Sequence, residues 1–306
     1  MYQSVNPTDQ AILHQFPTLN LNELEEKINL AKTSFLQWRD TSFAERARVI
    51  NQFADHFERR KEELAKMISL EMGKPYGQAV GEVEKCVWLC RYTAEIAEEK
   101  LQPVSVDTDN HKEAHIWYQP IGGVLGVMPW NFPYWQALRF GIPALMAGNV
   151  VFLKPAPNVP RCGAFIEEIF QEVVPDLHLF QTVYLSNEAV SSLLENPFVQ
   201  GVALTGSERA GAAVASKAAS EIKKAVLELG GSDAFVVLED ADLQLAAEVG
   251  VQSRMNNSGQ TCIAAKRFIV VESVAEEFIQ QLKNNVIRLL VGDPLDPNTD
   301  IGPLAR

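Results

Sequence analysis

The sequence contains little cysteine. Four cysteines occur among 306 residues, namely Cys86, Cys90, Cys162 and Cys262. They are too few for a disulfide framework, and their spacings fit no zinc-binding pattern. A reducing, cytoplasmic setting is therefore expected. Cys86 and Cys90 lie four residues apart on a predicted helix, where cysteine usually packs as a small apolar side chain.

Basic charge is also scarce. Lys and Arg total 27 against 39 Asp and Glu, which gives a net charge of −12. Such a chain repels nucleic acid and anionic membranes unless basic residues cluster, so neither is expected as a partner. Residues 121–153 carry one charge, Arg139, but Pro129, Pro133 and Pro143 interrupt the stretch. It is expected to form buried strands and a helix rather than a membrane span.

The termini and the histidines add two further expected absences. The first seven residues contain neither a basic nor an apolar region, so no signal peptide is expected. His111 and His115 are four residues apart, but Glu113 does not follow the first histidine as an HExxH motif requires. The flanking alternation predicts a strand, which would separate the two histidines by about 13 Å. No metal site is expected.

The first hundred residues are predicted to be helical. Asn22 and Glu25 have the spacing of a capping box, and apolar residues then recur at helical intervals. A second helix is expected to begin at Ser42 and to end before Gly73 and Pro75. A third is expected over about 76–100.

From residue 121 onward, short apolar strands alternate with helices. This rhythm predicts a parallel sheet covered on both faces, which binds ligands at the carboxyl ends of its strands. Strands are expected at 121–128, 150–153, 182–185, 199–204 and 225–229, and helices at 133–146, 161–174 and 208–220.

A second unit is expected after Gly230 and Gly231. Its strands are predicted at 234–238 and 267–271 and its helices at 243–256 and 274–290. Residues 103–120 are polar and partly alternating, which favours a protruding β-hairpin or edge element. The predicted domains are therefore 1–102 with 121–231, the hairpin at 103–120, and 232–306.

Two loops follow predicted strands of the sheet. In Pro129-Trp130-Asn131-Phe132-Pro133, the asparagine is polar where the sheet would present a site, although Asn before a first-turn Pro also suits a helix N-cap. Leu204 to Gly211 spells LTGSERAG, and backbone N–H groups at the following helix start could hold a phosphate. This segment lacks the GxGxxG pattern, so a plain strand–helix turn is an equal alternative.

Two further segments carry reactive side chains. Cys262 ends the polar sequence NSGQTC, which is not a typical environment for a core cysteine, although a single cysteine is more often structural. Glu228 lies in an apolar strand end, where a carboxylate must be paired or must have a raised pKa. A glutamate of raised pKa suits a general base that activates water.

PWNFP, LTGSERAG, LELGG and NSGQTC, in this order and at these separations, resemble the aldehyde dehydrogenase superfamily. The resemblance covers essentially the whole chain. It implies an α/β fold with a Rossmann-type parallel sheet domain, a second α/β catalytic domain and a bridging β-hairpin used in oligomerisation. A homodimer or homotetramer is expected. Residues 292–306 resemble a mid-domain segment of the family, so the catalytic domain is expected to be incomplete and the chain to be truncated at its C-terminus.

The resemblance assigns the chemistry residue by residue. Cys262 matches the nucleophile that attacks the aldehyde carbon to give a thiohemiacetal. Asn131 is similar to the oxyanion donor, which acts with the Cys262 backbone N–H. After hydride transfer to a nicotinamide, Glu228 matches the base that activates water to hydrolyse the thioester.

The resemblance also implies NAD or NADP as cofactor. Pro157 stands where many NAD-preferring relatives carry a glutamate that holds the ribose diol. This substitution removes both that contact and its repulsion of a 2′-phosphate, so NAD use without strict exclusion of NADP is expected. The cofactor residues implied by the resemblance are Trp130, Lys154, Pro157, Gly206, Ser207, Leu229 and Gly230.

Substrate expectations centre on Arg139, eight residues after Asn131 on a predicted helix. Helical side chains lean toward the N-terminus, so its guanidinium could approach the oxyanion site and bind a substrate carboxylate. Pairing with a protein carboxylate is the alternative. Bacterial succinate-semialdehyde dehydrogenases resemble this chain at Arg139, as do some relatives that oxidise hydroxyaldehydes. Trp135 and Thr261 complete the expected substrate residues.

Three functions remain as alternatives. The first is hydrolytic oxidation of an aldehyde, such as succinate semialdehyde, to the acid with NAD or NADP. The second is a CoA-acylating relative, which Glu228 disfavours because a water-activating base is expected only for hydrolysis. The third is a non-catalytic fragment that at most binds nucleotide.

Overall fold

The computed structural model describes residues 1–109 and 112–305. His111, one of the two histidines considered as metal ligands, lies outside these residues. The chain begins with an antiparallel ribbon of β1 (Tyr2–Val5) and β2 (Ile12–Phe16). The expectation of helices throughout the first hundred residues is therefore wrong at the start. The ribbon lies against the sheet domain, because the Tyr2 hydroxyl donates to the Leu185 carbonyl at 2.8 Å.

Helices make up the rest of the first hundred residues. The predicted capping box at Asn22 and Glu25 is wrong, because the chain is already helical from Leu21. Asn20 caps this helix instead, and Glu23 returns the second hydrogen bond of the box. The four helices are α1 (Leu21–Trp38), α2 (Phe43–Arg59), α3 (Lys61–Met72) and α4 (Tyr76–Lys100).

One predicted helix over 42–73 is in fact two. Ser42 caps α2 as expected, with its hydroxyl accepting from the Glu45 N–H. At Arg60 the backbone leaves the helical region, with φ −95° and ψ 14°, so α2 ends before it and α3 begins after it. The guanidinium of Arg60 bonds Glu63 at 2.9 Å on the new helix. The expected third helix is confirmed as α4.

The predicted hairpin forms two short antiparallel strands, β3 (Val104–Val106) and β4 (Ala114–Ile116). Apolar side chains beside it are exposed, including Trp117 and Tyr118. Its use in a homodimer or homotetramer stays a prediction.

A five-stranded parallel sheet forms the centre of the molecule, and its strand order is β7-β6-β5-β8-β9. The predicted α/β architecture is thus confirmed. The strand order reverses between β5 and β8, which makes their carboxyl ends the expected ligand crevice. The strands are β5 (Gly123–Val127), β6 (Val150–Lys154), β7 (Phe180–Thr182), β8 (Val199–Thr205) and β9 (Lys224–Glu228), and the helices are α5 (Pro133–Met146), α6 (Pro160–Val173), α7 (Asn187–Glu195) and α8 (Glu208–Ser220).

Two details of the sheet differ from expectation. The strand predicted over 182–185 lies earlier, at β7, because it is the segment beginning at Phe180 that pairs with β6. Helix α7 was not expected at all. The Ser186 hydroxyl caps α7 by accepting from the Ala189 N–H at 3.2 Å. The helix was missed because it has only nine residues, and their mixed polarity shows no clear helical pattern.

A second unit follows the sheet. Its parallel strands are β10 (Ala234–Val237) and β11 (Arg267–Val270), and its helices are α9 (Leu243–Met255) and α10 (Glu272–Ile287). Between α9 and β11 lies a single 3₁₀ turn, Asn256–Gly259. The unit has its own small core around Val237, Ala247 and Phe278, separate from the main core. These two cores support the division near residue 231, which stays a prediction.

The turn between α3 and α4 should not tolerate a side chain. Gly73 caps α3 with a φ of 78°, and a Cβ there would collide with the Pro303 carbonyl oxygen. We expect Gly73→Ala to lower the free energy of unfolding by at least about 1–3 kcal/mol, measured by denaturant titration. Gly77→Ala is the matched control, because no heavy atom lies within 4 Å of its Cβ position. Equal effects of both substitutions would contradict the prediction.

Candidate active site

Asn131 lies in the loop between β5 and α5, called here the asparagine loop (129–133). It is not the N-cap of α5, since that position belongs to Phe132, which makes no side-chain cap bond. The Asn131 Nδ2 instead donates to the Gln260 carbonyl at 2.8 Å. Asn257 Nδ2 donates in return to the Asn131 carbonyl at 2.9 Å. Two segments that are distant in the sequence are therefore hydrogen-bonded together at the carboxyl end of β5.

The carboxamide of Asn131 has capacity left for a ligand. A carbonyl can only accept, so the bond to Gln260 fixes which end of the amide is nitrogen. One of the two Nδ2 hydrogens remains for an oxyanion. The Oδ1 atom is buried, and no hydrogen-bond partner for it exists among residues 1–109 and 112–305.

A buried ion pair contacts the asparagine loop and the start of α5. Lys74 and Glu82 contact each other with side chains 0% and 1% exposed. The other Glu82 oxygen accepts the backbone N–H groups of Tyr134 and Trp135, at 3.0 and 3.1 Å, and so caps α5. The Lys74 ammonium lies 3.7 Å from the centroid of the Phe132 ring. Burial lowers the pKa of Lys74, while Glu82 opposes that shift.

The two tryptophans of this region are half-buried. Trp130 packs against the main core, and the Lys85 ammonium lies 3.9 Å from the centroid of the Trp135 ring. Their predicted contacts with cofactor and substrate stay predictions.

The segment before the expected nucleophile, called here the cysteine loop (256–262), has an unusual backbone. Three consecutive residues, Asn257, Ser258 and Gly259, have φ values of 54°, 55° and 77°. Non-glycine residues in this left-handed region are strained, and such strain concentrates at functional sites. The Gln78 Oε1 accepts from the Asn257 N–H at 2.7 Å and holds the turn from the side of α4.

Cys262 itself is half-buried at the end of this loop. Next to it, Thr261 is buried, and its hydroxyl donates to the Asn256 carbonyl at 3.2 Å. That bond gives Thr261 a structural role beside its predicted substrate contact. By contrast, Cys86, Cys90 and Cys162 are fully buried, and burial raises the pKa of each thiol. Cys262 is thus the cysteine that solvent can reach, and its role as nucleophile stays a prediction.

Glu228 is paired, which is one of the two states expected for it. Its side chain is nevertheless 55% exposed, because it ends the edge strand β9. The expected alternative for Arg139 is what the structure shows, since its Nη1 lies 3.5 Å from the Glu228 Oε1. Arg139 also donates to the Gln136 Oε1 at 3.1 Å. The two charges line a cavity of about 410 Å³ that includes Phe140 and Thr205.

Lys266 connects the end of β9 with the cysteine loop. Its ammonium donates to the carbonyls of Gly231 and Cys262, both at 2.5 Å. Gly230 is exposed beside this link, and Leu229 packs closely over Gly211 of α8. Lys266 was not predicted as a site residue, since nothing in the sequence distinguishes it from other exposed lysines.

The carboxyl end of β6 supplies the expected nucleotide lysine. Lys154 is buried, and burial lowers its pKa to about 8. Its ammonium lies 5.4 Å from the centroid of the Tyr2 ring, and no described residue forms an ion pair with it. Pro157 is exposed three residues later, with its carbonyl accepting from the Gln3 N–H at 3.1 Å. Burying an unmatched ammonium is costly, so this position favours an anionic ligand.

The start of α8 lies at the same edge of the sheet. Gly206 donates its backbone N–H to the Glu228 carbonyl at 3.0 Å and joins the ends of β8 and β9. Ser207 is the N-cap of α8, with its hydroxyl accepting from the Ala210 N–H at 3.3 Å. The plain strand–helix turn is therefore present. A phosphate contact of Ser207 would add to it and stays a prediction.

Two features are absent from the parts of the chain that the structure describes. No three side chains of His, Cys, Asp or Glu gather as metal ligands there. Nor does any helix there combine the length and apolar character needed to cross a membrane.

The aldehyde dehydrogenase family profile matches residues 1–306, and the chain belongs to the aldehyde dehydrogenase family. A Synechocystis sp. protein named "Probable succinate-semialdehyde dehydrogenase, NADP(+)" is 50% identical over 302 residues, 99% of this chain and 66% of that protein. "Succinate-semialdehyde dehydrogenase 1, NADP(+)" of Mycobacterium bovis is 45% identical over 305 residues, with the same two shares.

A solved structure shows the same fold. Succinic semialdehyde dehydrogenase from Streptococcus pyogenes, in complex with NADP⁺, matches with a TM-score of 0.96 and 35% identity, over 100% of this chain and 67% of that one. The predicted family and its fold are confirmed. The chain spans about 66% of the length of the curated relatives it matches.

We expect iodoacetamide to label Cys262 in the native chain and to leave Cys86, Cys90 and Cys162 unlabelled. Alkylation requires an accessible thiolate, and burial denies both access and ionisation to the other three. Peptide mapping by mass spectrometry measures the sites, and Cys262→Ser should abolish labelling. Comparable labelling of any buried cysteine in the folded chain would contradict the assignment.

Proposed function

We propose that this protein oxidises an aldehyde to a carboxylic acid with NADP, and that the aldehyde is succinate semialdehyde. The observation that carries the proposal is the bonding of the Asn131 amide into the loop that ends at Cys262. An oxyanion donor and a nucleophile are thereby joined at the carboxyl edge of a nucleotide-binding type of sheet.

Covalent chemistry begins at Cys262. Its thiolate attacks the carbonyl carbon, and the electron pair of the C=O bond moves to oxygen to give a thiohemiacetal anion. The spare Nδ2 hydrogen of Asn131 stabilises that anion, an interaction whose loss typically costs about 10²–10³ in rate. NADP, when bound, supplies the acceptor for the hydride. A thioester on Cys262 results.

Hydrolysis of the thioester falls to Glu228. Its exposure leaves room for the water that it must deprotonate, and Lys266 holds the end of β9 beside the cysteine loop. Water adds to the thioester carbon, Glu228 takes the proton, and the thiolate of Cys262 leaves. The proposal of a CoA-acylating relative is weaker, because such an enzyme has no need of this carboxylate.

The residues at the sheet edge fit an adenine dinucleotide phosphate. The ammonium of Lys154 is buried without a carboxylate partner among the described residues, and Pro157 offers no charge to repel a 2′-phosphate. The amino end of α8, next to Ser207, has the backbone N–H groups that hold a pyrophosphate. The names of the Synechocystis and mycobacterial relatives support NADP over NAD.

The substrate proposal depends on Arg139. Its guanidinium faces the 410 Å³ cavity and is paired with Glu228 at 3.5 Å, a loose contact between half-exposed groups. A substrate carboxylate could form a closer, bidentate contact with it. The relatives named for succinate semialdehyde support this choice, and an uncharged or hydroxylated small aldehyde is the alternative.

The direct test is formation of NADPH by the purified chain with succinate semialdehyde. Wild-type chain should reduce NADP, and Cys262→Ala should not. Binding of NADP without turnover in the wild type would overturn the catalytic proposal and favour the nucleotide-binding alternative.

We expect Arg139→Ala to raise KM for succinate semialdehyde about 10- to 100-fold, the range for a lost hydrogen bond to a charged group. Butanal, of similar length but without the carboxylate, is the control substrate, and its KM should change little. Steady-state kinetics measures both. An equal loss with the two aldehydes would remove Arg139 as the carboxylate anchor.

Affinity for NADP should depend on the charge of Lys154. Its pKa of about 8 means that the ammonium is present below this pH and is lost as the pH rises through it. Since a phosphate stays fully ionised above about pH 7, the Kd should rise by up to about tenfold per pH unit above 8. Calorimetric titration measures this. Lys154→Met should bind weakly at every pH and lose the dependence, whereas a pH-independent wild type would contradict the prediction.

A further inference from the structure

Three side-chain acceptors reach the site from one short segment, the end of α3 and the start of α4, called here the α3–α4 junction (71–82). Glu71, Gln78 and Glu82 each accept a hydrogen bond from a backbone N–H in a different part of the site. None of them belongs to a motif with assigned chemistry. One short segment of the chain therefore contacts three different parts of the site.

Glu71 acts on the loop after β6, called here the lysine loop (154–159). Its two carboxylate oxygens accept the backbone N–H groups of Arg161 and Cys162, both at 3.0 Å. These are the first N–H groups of α6, a helix that starts with Pro160 and has no side-chain cap of its own. The direction in which α6 leaves the lysine loop thus depends on Glu71.

Gln78 acts on the cysteine loop. Its Oε1 accepts from the N–H of Asn257, the first of the three left-handed residues. A strained turn persists only where its surroundings fix it. On the side of α4, the half-buried Gln78 side chain supplies this contact.

Glu82 acts in the same way on the asparagine loop, since it caps α5 at Tyr134 and Trp135. Helix α5 also begins with a proline, Pro133, and has no side-chain cap of its own. Helix α6 after the lysine loop and helix α5 after the asparagine loop are thus both capped by glutamates that are distant in sequence.

We propose that the α3–α4 junction is a positioning element for the whole site, with Glu71, Gln78 and Glu82 setting the lysine, cysteine and asparagine loops respectively. The identity of these loops as cofactor and reaction loops rests on the proposed function. The positioning itself rests on the hydrogen bonds. Glu71 and Glu82 are both buried carboxyl groups, and burying such a group is costly unless hydrogen bonds compensate it. The four backbone N–H groups that they accept provide this compensation, and in return the two side chains fix the starts of α6 and α5.

The first arm of the test concerns Gln78 and needs no substrate or cofactor. Gln78→Met removes the acceptor and should raise the rate of iodoacetamide labelling of Cys262 about fivefold, the population change that one lost hydrogen bond permits. Gln78→Glu keeps an acceptor oxygen and should label at the wild-type rate. Both variants should remain folded, because Gln78 is half-buried.

The second arm concerns Glu71 and uses adenosine 2′,5′-bisphosphate, the phosphate-bearing end of NADP, as probe. Glu71→Gln places an N–H group against the N–H of Cys162, so the lysine loop should loosen and the Kd rise at least about fivefold. Calorimetry should be done slightly above the pKa of about 7 that burial gives Glu71, so that the wild type carries its charge.

The pattern across the two arms decides the inference. Each variant should change its own readout and leave the other within about twofold of wild type. The inference is overturned if Gln78→Met and Glu71→Gln alter both readouts together, or if neither readout moves. If the wild-type chain does not bind the bisphosphate, the proposed cofactor fails, and the labelling arm alone decides the positioning role. If Glu71→Gln does not fold, the two Gln78 variants decide it in the same way.

Discussion

The buried contact between Lys74 and Glu82 is the constraint on which the site depends. Both side chains are almost completely buried, so each charge is tolerable only while the other is present. Removing one partner of such a pair typically costs about 3–5 kcal/mol. The pair also reaches the site directly, since Lys74 lies over the ring of Phe132 and Glu82 caps the next helix. The position of Asn131 is therefore tied to the stability of the main core.

The cysteine loop is held in a different way. Its left-handed residues cost free energy, and hydrogen bonds with Asn131 and Gln78, outside the loop, help to offset this cost. Because these two residues belong to the sheet domain, the loop that ends at Cys262 is held against that domain. Ser258 adds a contact within the second unit, exchanging hydrogen bonds with the backbone of Gly302. The site is thus assembled by contacts between segments that are far apart in sequence.

Local pattern predicted much of this structure, and long-range contacts explain what it missed. Helix α5 was predicted to the residue, because its proline start and apolar face are local signals. Glu228 is paired, as one of the two expectations for it required, but its exposure was not foreseen, since an apolar strand sequence does not reveal that β9 is an edge. Glu82 was overlooked, although it falls at helical spacing between Ala79 and Cys86 on the buried face of α4. A carboxylate in such a stripe is a usable signal, but its partner can be found only in three dimensions.

Net charge gives the last physical constraint. A chain of net charge −12 repels anions at long range, yet the proposed cofactor and substrate are both anionic. At physiological salt, charges beyond about 8 Å are largely screened, so only the nearest groups decide whether an anion binds. Those groups are cationic at two places, Lys154 at the end of β6 and Arg139 on α5. Because Lys154 is buried, its single charge should attract a bound anion more strongly than that of Arg139 does. Arg139 would first have to release Glu228 before it could bind a substrate carboxylate. The proposed recognition of anions by this acidic protein is therefore a local property of the carboxyl edge of the sheet.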